Sequence, residues 1–157
     1  MRQGSNGPTT PPIKRKVLAY ITHGSRLLVF RQPQHPEAGI QVPGGTVEQD
    51  EPPDIAALRE AREETGLLNL SLVRFLGRTD YDCRPHGKQE IHERHYFHLR
   101  CAGTPAETWD HWEEHPSEGE ARRILFRFGW LSLPDGVPAL ISDMDEMLPA
   151  LVADFDL

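Results

Sequence analysis

The chain has 157 residues, a formal net charge of −7, and 38% hydrophobic and 26% charged residues. Such a length and composition fit one domain with a substantial core. The acidic balance argues against gripping a nucleic-acid polymer, which needs clustered cations, and no apolar run approaches the roughly 18 residues of a membrane span.

The first segment, MRQGSNGPTTPP, has no apolar h-region, so it is not a secretory signal and the expected compartment is the cytoplasm. Residues 1–12 lack apolar periodicity and read as a disordered tail before a domain over 13–157. Val17 to Thr22 and Leu27 to Phe30 are apolar runs around His23-Gly24-Ser25, the signature of a hairpin. Ile40 to Val42 reads as another short strand, stopped by Pro43-Gly44-Gly45. Pro52 and Pro53 suit a helix start. The helix then runs from Ile55 to Thr65, with Ile55, Leu58 and Ala61 on one side and Gly66 as its cap. Leu70 to Leu76, Ile91 to Leu99 and Ile124 to Leu131 read as strands, and the acidic stretch 103–121 as a loop. Ile141, Met144, Leu148, Leu151, Val152 and Phe155 recur at helical spacing, which predicts an amphipathic C-terminal helix. Strands around one central helix, with a second helix at the end, predict an α/β fold with a mixed sheet covered on both faces. Cys83 and Cys101 form no ligand or redox motif and read as free thiols.

The central helix carries REAREETG, and residues three and four apart on a helix share a face. Glu60 therefore projects beside both Glu63 and Glu64, an arrangement that costs a few tenths of a kcal/mol per exposed pair and more when buried. Neutralisation by Arg59 and Arg62 on a solvated face is one relief. A divalent cation is the other: Mg²⁺ takes hard oxygen ligands and leaves positions for a phosphate oxygen and water. The residues upstream weigh toward the cation, because Gly44-Gly45 permits a sharp turn and a close backbone approach to a ligand.

Read from Gly45, the order is five residues, Glu51, seven residues, Arg59-Glu60, two residues, Glu63-Glu64, one residue, Gly66-Leu67. This segment resembles the Nudix box at every fixed position; Ala61, where a bulkier aliphatic is usual, is a mild departure. The resemblance implies an α/β/α sandwich and hydrolysis of a pyrophosphate bond in a nucleoside diphosphate derivative or a nucleoside triphosphate. It implies Glu63 and Glu64 as principal metal ligands and Glu60 as a ligand or part of the base machinery. The carbonyl of Gly44 or Gly45 joins the metal shell, Arg59 orients the glutamates with Glu51 as partner, and Gly66 closes the helix. Mg²⁺ is the implied cofactor, with Mn²⁺ as a substitute, and a homodimer the implied assembly. The resemblance makes Glu113, Glu114, Glu118 and Glu120 candidates for a further metal-binding or basic glutamate, with Glu90 and Glu93 weaker candidates; each of the four taken alone reads as a solvated surface charge. A nucleotide-binding module without catalysis, and a hydrolase of non-nucleotide pyrophosphates, are the alternatives.

For the substrate, Arg31 is a candidate phosphate contact, Gly45 a close backbone approach, and Tyr81, Trp109 and Trp112 candidates for stacking on a base; Trp130 reads as core. His92 and His98 face one way on their strand and His95 the other, so the three cannot share an ion. They read as half-buried strand residues, with a place in a substrate groove as the functional alternative. No P-loop, dinucleotide fingerprint or serine elbow is present.

Overall fold

The computed structural model describes residues 10–113 and 123–157. Glu114, Glu118 and Glu120 and the first nine residues of the expected tail lie outside that range. β1 (Ile13–His23) and β2 (Arg26–Arg31) form the expected hairpin, with Gly24 at φ 60° in its turn. β3 (Gly44–Thr46), α1 (Pro53–Thr65), β4 (Leu70–Asp82), β5 (Ile91–Cys101), β6 (Thr108–Glu113), β7 (Ile124–Ser132) and α2 (Leu148–Val152) follow. The described strands form one mixed sheet in the order β4-β5-β1-β2-β7-β6, with β3 paired to β1. The β1–β5 pair is parallel and the others antiparallel.

Alternation along the strands divides the interior into two layers. Val17, Ala19 and Ile21 of β1, with Leu28 and Phe30 of β2 and Phe97 and Leu99 of β5, pack under Ala56, Ala57 and Ala61 of α1. The alanines let the helix lie close on the sheet. Leu18, Tyr20, Leu27, Val29 and Tyr96 face the other way, against Leu140, Met144, Met147, Leu148 and Leu151 of the C-terminal segment. The sheet is thus covered on both faces, the α/β/α arrangement. Cys83 and Cys101 are buried free thiols.

Four local expectations are corrected. The strand lies at Gly44–Thr46, not at Ile40–Val42, where only the bridge Phe30↔Gln41 forms. The glycines that looked like a stop pair with β1, and the close approach needs glycine, since a Cβ on Gly44 would meet the Val17 carbonyl at 2.6 Å. Ile55 is 52% exposed, so α1 buries Ala56, Ala57 and Ala61 in place of an Ile55 stripe. The acidic stretch contains β6, which among the described strands pairs with β7 at the edge of the sheet. Finally, the C-terminal segment is not one helix. Ser142 (φ 54°) and Asp143 (φ 59°) adopt left-handed conformations, and α2 restarts around Pro149. No helix among the described residues is long and apolar enough to cross a membrane.

Candidate active site

α1 is held at both ends where the acidic face must be fixed. Pro52 (ψ 140°) and Pro53 start it, and Gly66 ends it at φ 78°, its N–H reaching the Arg62 carbonyl at 2.9 Å. Left-handed conformations favour glycine at this position. His111 of β6 takes up another free carbonyl, donating from Nε2 to Glu63 O at 3.0 Å.

Arg59 organises the face. Its Nε donates to Glu51 Oε2 at 2.7 Å and its Nη2 to Glu51 Oε1 at 2.8 Å, a two-pronged pair. Nη2 also reaches the Thr46 carbonyl at 3.1 Å, and Nη1 donates to Glu60 Oε1 at 2.8 Å. Glu63 is only grazed, at 3.5 Å. The Arg59 hydrogen bonds pull the Glu51 carboxyl down to about 2, and those bonds, led by Glu51, raise the arginine further above its ordinary value. Arg59 is thereby fixed to the loop and to one flank of the glutamates.

Glu64 lies on the other flank and has no such help. It is 7% exposed, and its one hydrogen bond among the described residues comes from the Gly44 N–H at 3.4 Å. Burial pushes its carboxyl well above the ordinary carboxylate range, and the Glu113 and Glu60 charges push the same way. Glu60 is also raised, chiefly by burial and against the pull of Arg59. A Cβ on Gly45 would sit 2.1 Å from Glu60 Cδ, so the glycine leaves the room this carboxylate occupies. Gly44, Gly45, Lys16, Glu48, Glu60, Glu63, Glu64 and Glu113 share one cleft. As they stand, no three acidic, histidine or cysteine side chains among the described residues converge as a ready ion cage. The donor set still fits a hard cation. It is all oxygen, and its most buried member is a carboxylate whose one hydrogen bond among the described residues comes from a backbone amide.

A cavity of about 410 Å³ adjoins the cleft and shares Lys16, Gly44, Gly45, Glu64 and Glu113 with it. Its walls include Phe30, Phe126 and Ile124, then Tyr81, His92, Arg94, Gln41, Ser142 and Met144. Tyr81 and Gly45 thus stand in the cavity. Arg31 is exposed at the end of β2 and Trp112 is 38% exposed on β6; neither lines it. Trp109 donates to the Thr65 carbonyl at 2.9 Å and stacks on Phe128. Trp130 packs partly buried against the core. Of the histidines, His92 lines the cavity, His98 is buried against Thr22 Oγ1 at 2.7 Å, and His95 pairs with Glu93. Glu93 is engaged by His95 and Arg78, and Glu90 by Lys14, Lys88 and His92. Sequence reasoning missed Lys16, Arg94 and Gln41. Only the strand register, which pairs Lys16 with both Thr46 and Arg94, brings the first two together.

The NUDIX domain model matches residues 12–151. The chain therefore belongs to the NUDIX family, and its class is that of the pyrophosphohydrolases. Among solved structures it is similar to a UDP-X diphosphatase, with a TM-score of 0.61, 19% identity, and coverage of 93% of this chain and 63% of that one. The E. coli ORF135 protein superposes with a TM-score of 0.60 at 22% identity, over 94% of both chains. A MutT NUDIX hydrolase from Burkholderia pseudomallei superposes with a TM-score of 0.54 at 26% identity, over 88% of this chain and 95% of that one. No curated protein matches the sequence.

Proposed function

We propose that this protein hydrolyses a pyrophosphate bond in a nucleoside diphosphate derivative or nucleoside triphosphate, with Mg²⁺ held by Glu60, Glu63 and Glu64 and a Gly44 or Gly45 carbonyl. The observation that carries this reading is Glu64, a buried carboxylate surrounded by like charges and lacking a cationic partner among the described residues. An uncompensated buried charge is expensive; a divalent cation removes the expense and uses the same oxygens. When bound, such an ion offsets charge on the diphosphate oxygens and makes water a better nucleophile; Mn²⁺ serves as a substitute.

The chain's own residues do the rest. Arg59, locked to Glu51 and Thr46 O, fixes the rotamer of Glu60. Gly44 and Gly45 let the backbone approach the diphosphate, and the Gly44 N–H orients Glu64. Water attacks one phosphorus in line, the anhydride P–O bond breaks, the other phosphate leaves with the electron pair, and a carboxylate of the cluster takes the water's proton. Phe30, Phe126 and Ile124 supply apolar surface for a base or sugar beside that point.

The test is a panel assay with Mg²⁺ against nucleoside di- and triphosphates, dinucleotides and nucleotide sugars, reading phosphate-containing products. Hydrolysis of one class, lost with chelator, is expected. No hydrolysis of any member contradicts the reading and moves the protein to a nucleotide-binding module.

A further inference from the structure

The cavity has a basic wall, Arg94 with Lys16, to which the hydrolytic reading gives no role, and Lys16 also borders the acidic cleft. Arg94 is 5% exposed, yet its close hydrogen bond is to a neutral group, the Ser142 carbonyl at 2.7 Å. Its contact with Glu146 Oε2 is long, at 3.4 Å, and that carboxylate already accepts from Tyr96 OH at 2.6 Å and Thr79 Oγ1 at 3.0 Å. All three of its hydrogen bonds run through Nη1, so Nε and Nη2 have no partner among the described residues. The Tyr81 ring lies 3.9 Å from the guanidinium carbon and fixes its plane.

Lys16 stands beside it. The two are register partners across β1 and β5, so their side chains leave the same face of the sheet. The half-buried Lys16 ammonium likewise donates to a neutral partner, Thr46 Oγ1 at 2.7 Å. His92 lines the same end. Glu90, just before β5, is engaged by Lys14, Lys88 and His92, each at 3.2 Å, and Glu93 of β5 by His95 and Arg78. Two cations drawn out of water, whose shortest contacts are neutral oxygens and of which Arg94 has only a long contact to a carboxylate, cost the fold energy that a further anion would return.

The geometry points to an anion subsite centred on Arg94, with Lys16 between it and the glycine strand, which takes a phosphate or carboxylate on the part of the substrate away from Gly44 and Gly45. The inference rests on the hydrolytic reading, which places the diphosphate at Gly44 and Gly45. β3, β1 and β5 are neighbours, so Arg94 is two strand spacings, roughly 10 Å, from the glycine strand. A sugar ring between two anions spans that gap. The preferred substrate class is a nucleoside diphosphate whose X group is itself anionic, a phosphosugar or a sugar acid. A neutral sugar in that place adds no charge to the partners the two cations already have.

Calorimetric titration with base-free probes tests this on the full chain with Mg²⁺. Glucose 1-phosphate carries one phosphate; glucose 1,6-bisphosphate adds a second across the ring, and glucuronic acid 1-phosphate adds a carboxylate there. The wild-type protein should bind at least one doubly anionic probe about tenfold or more tighter than glucose 1-phosphate, and which one it prefers separates phosphate from carboxylate. Arg94→Gln should reduce that ratio to about threefold or less, and Lys16→Met should lower it by a similar factor. The wild-type ratio needs no variant, so misfolding of Arg94→Gln leaves the inference testable. Equal binding of all three probes, no binding of any, or a ratio that survives both substitutions overturns the subsite. If the ratio stands but glucose 1-phosphate binds equally with and without Mg²⁺, the metal reading fails and the subsite survives.

Discussion

The helix that carries Glu60, Glu63 and Glu64 and the strand pair that carries Lys16 and Arg94 both crowd like charges, but they are relieved differently. On the helix, Arg59 neutralises Glu51 and Glu60 within hydrogen-bond reach and leaves Glu64 with a single backbone amide. On the strands, the cations have close contacts that are neutral oxygens, Ser142 O and Thr46 Oγ1. In each region the fold has satisfied geometry without satisfying charge. Under the proposed function, an acidic side and a basic side in one cavity suit a ligand with its own order of charges: a metal-complexed diphosphate on one side and an anion on the other.

Substitutions break the comparison at the acidic end first. Glu64→Gln keeps the shape and removes the charge. Turnover should fall by about a hundredfold or more, since several kcal/mol of metal-supplied stabilisation is lost, while circular dichroism shows an intact fold. Retained turnover at saturating Mg²⁺ would count against the mechanism. Gly45→Ala tests whether the backbone position matters or only the charges. Its Cβ would displace Glu60 from a point 2.1 Å away. A fall in kcat of about tenfold is expected with little change in stability, because the part that moves is a side chain; kinetics beside a melt read both. The smallest effect sharpens the contrast between local and catalytic roles. Gly66→Ala places a Cβ at φ 78°, 3.2 Å from the His111 ring, and should cost about 1 kcal/mol. That corresponds to a Tm lowered by roughly 2–4 °C, with kcat nearly unchanged.

The two ends also differ in how far they could be read from the sequence. The acidic end was legible because its members are contiguous: helical spacing places Glu60, Glu63 and Glu64 together without any tertiary information. Glu51 and Arg59 are eight residues apart and bracket the helix start. The basic end was invisible. Lys16 and Arg94 are ordinary strand residues until the parallel β1–β5 register sets them side by side. β6 was missed for a related reason. As an edge strand it alternates exposed with half-buried positions, and His111 and Glu113 stand at half-buried positions where apolar residues would have marked it, while Trp112 is exposed. The helical spacing from Ile141 to Phe155 is real, but left-handed Ser142 and Asp143 break the helix. Their turn delivers the Ser142 carbonyl to Arg94. Tertiary contact overrode local pattern where the cavity needed a wall.

The central claim is that Glu64 is buried in want of a cation. Because the folded protein holds the Glu64 proton more tightly than the unfolded chain does, the metal-free protein has this group's full stability below its ordinary value of 4.5. That stability is lost as pH rises through the raised folded-state value. The direct measurement is the Tm of wild type and Glu64→Gln from pH 5 to 8, with chelator and with Mg²⁺. Metal-free wild type should lose Tm relative to Glu64→Gln as pH rises, and Mg²⁺ should recover the loss in wild type alone. Parallel pH curves for the two proteins, with Mg²⁺ shifting both equally or neither, would contradict the account.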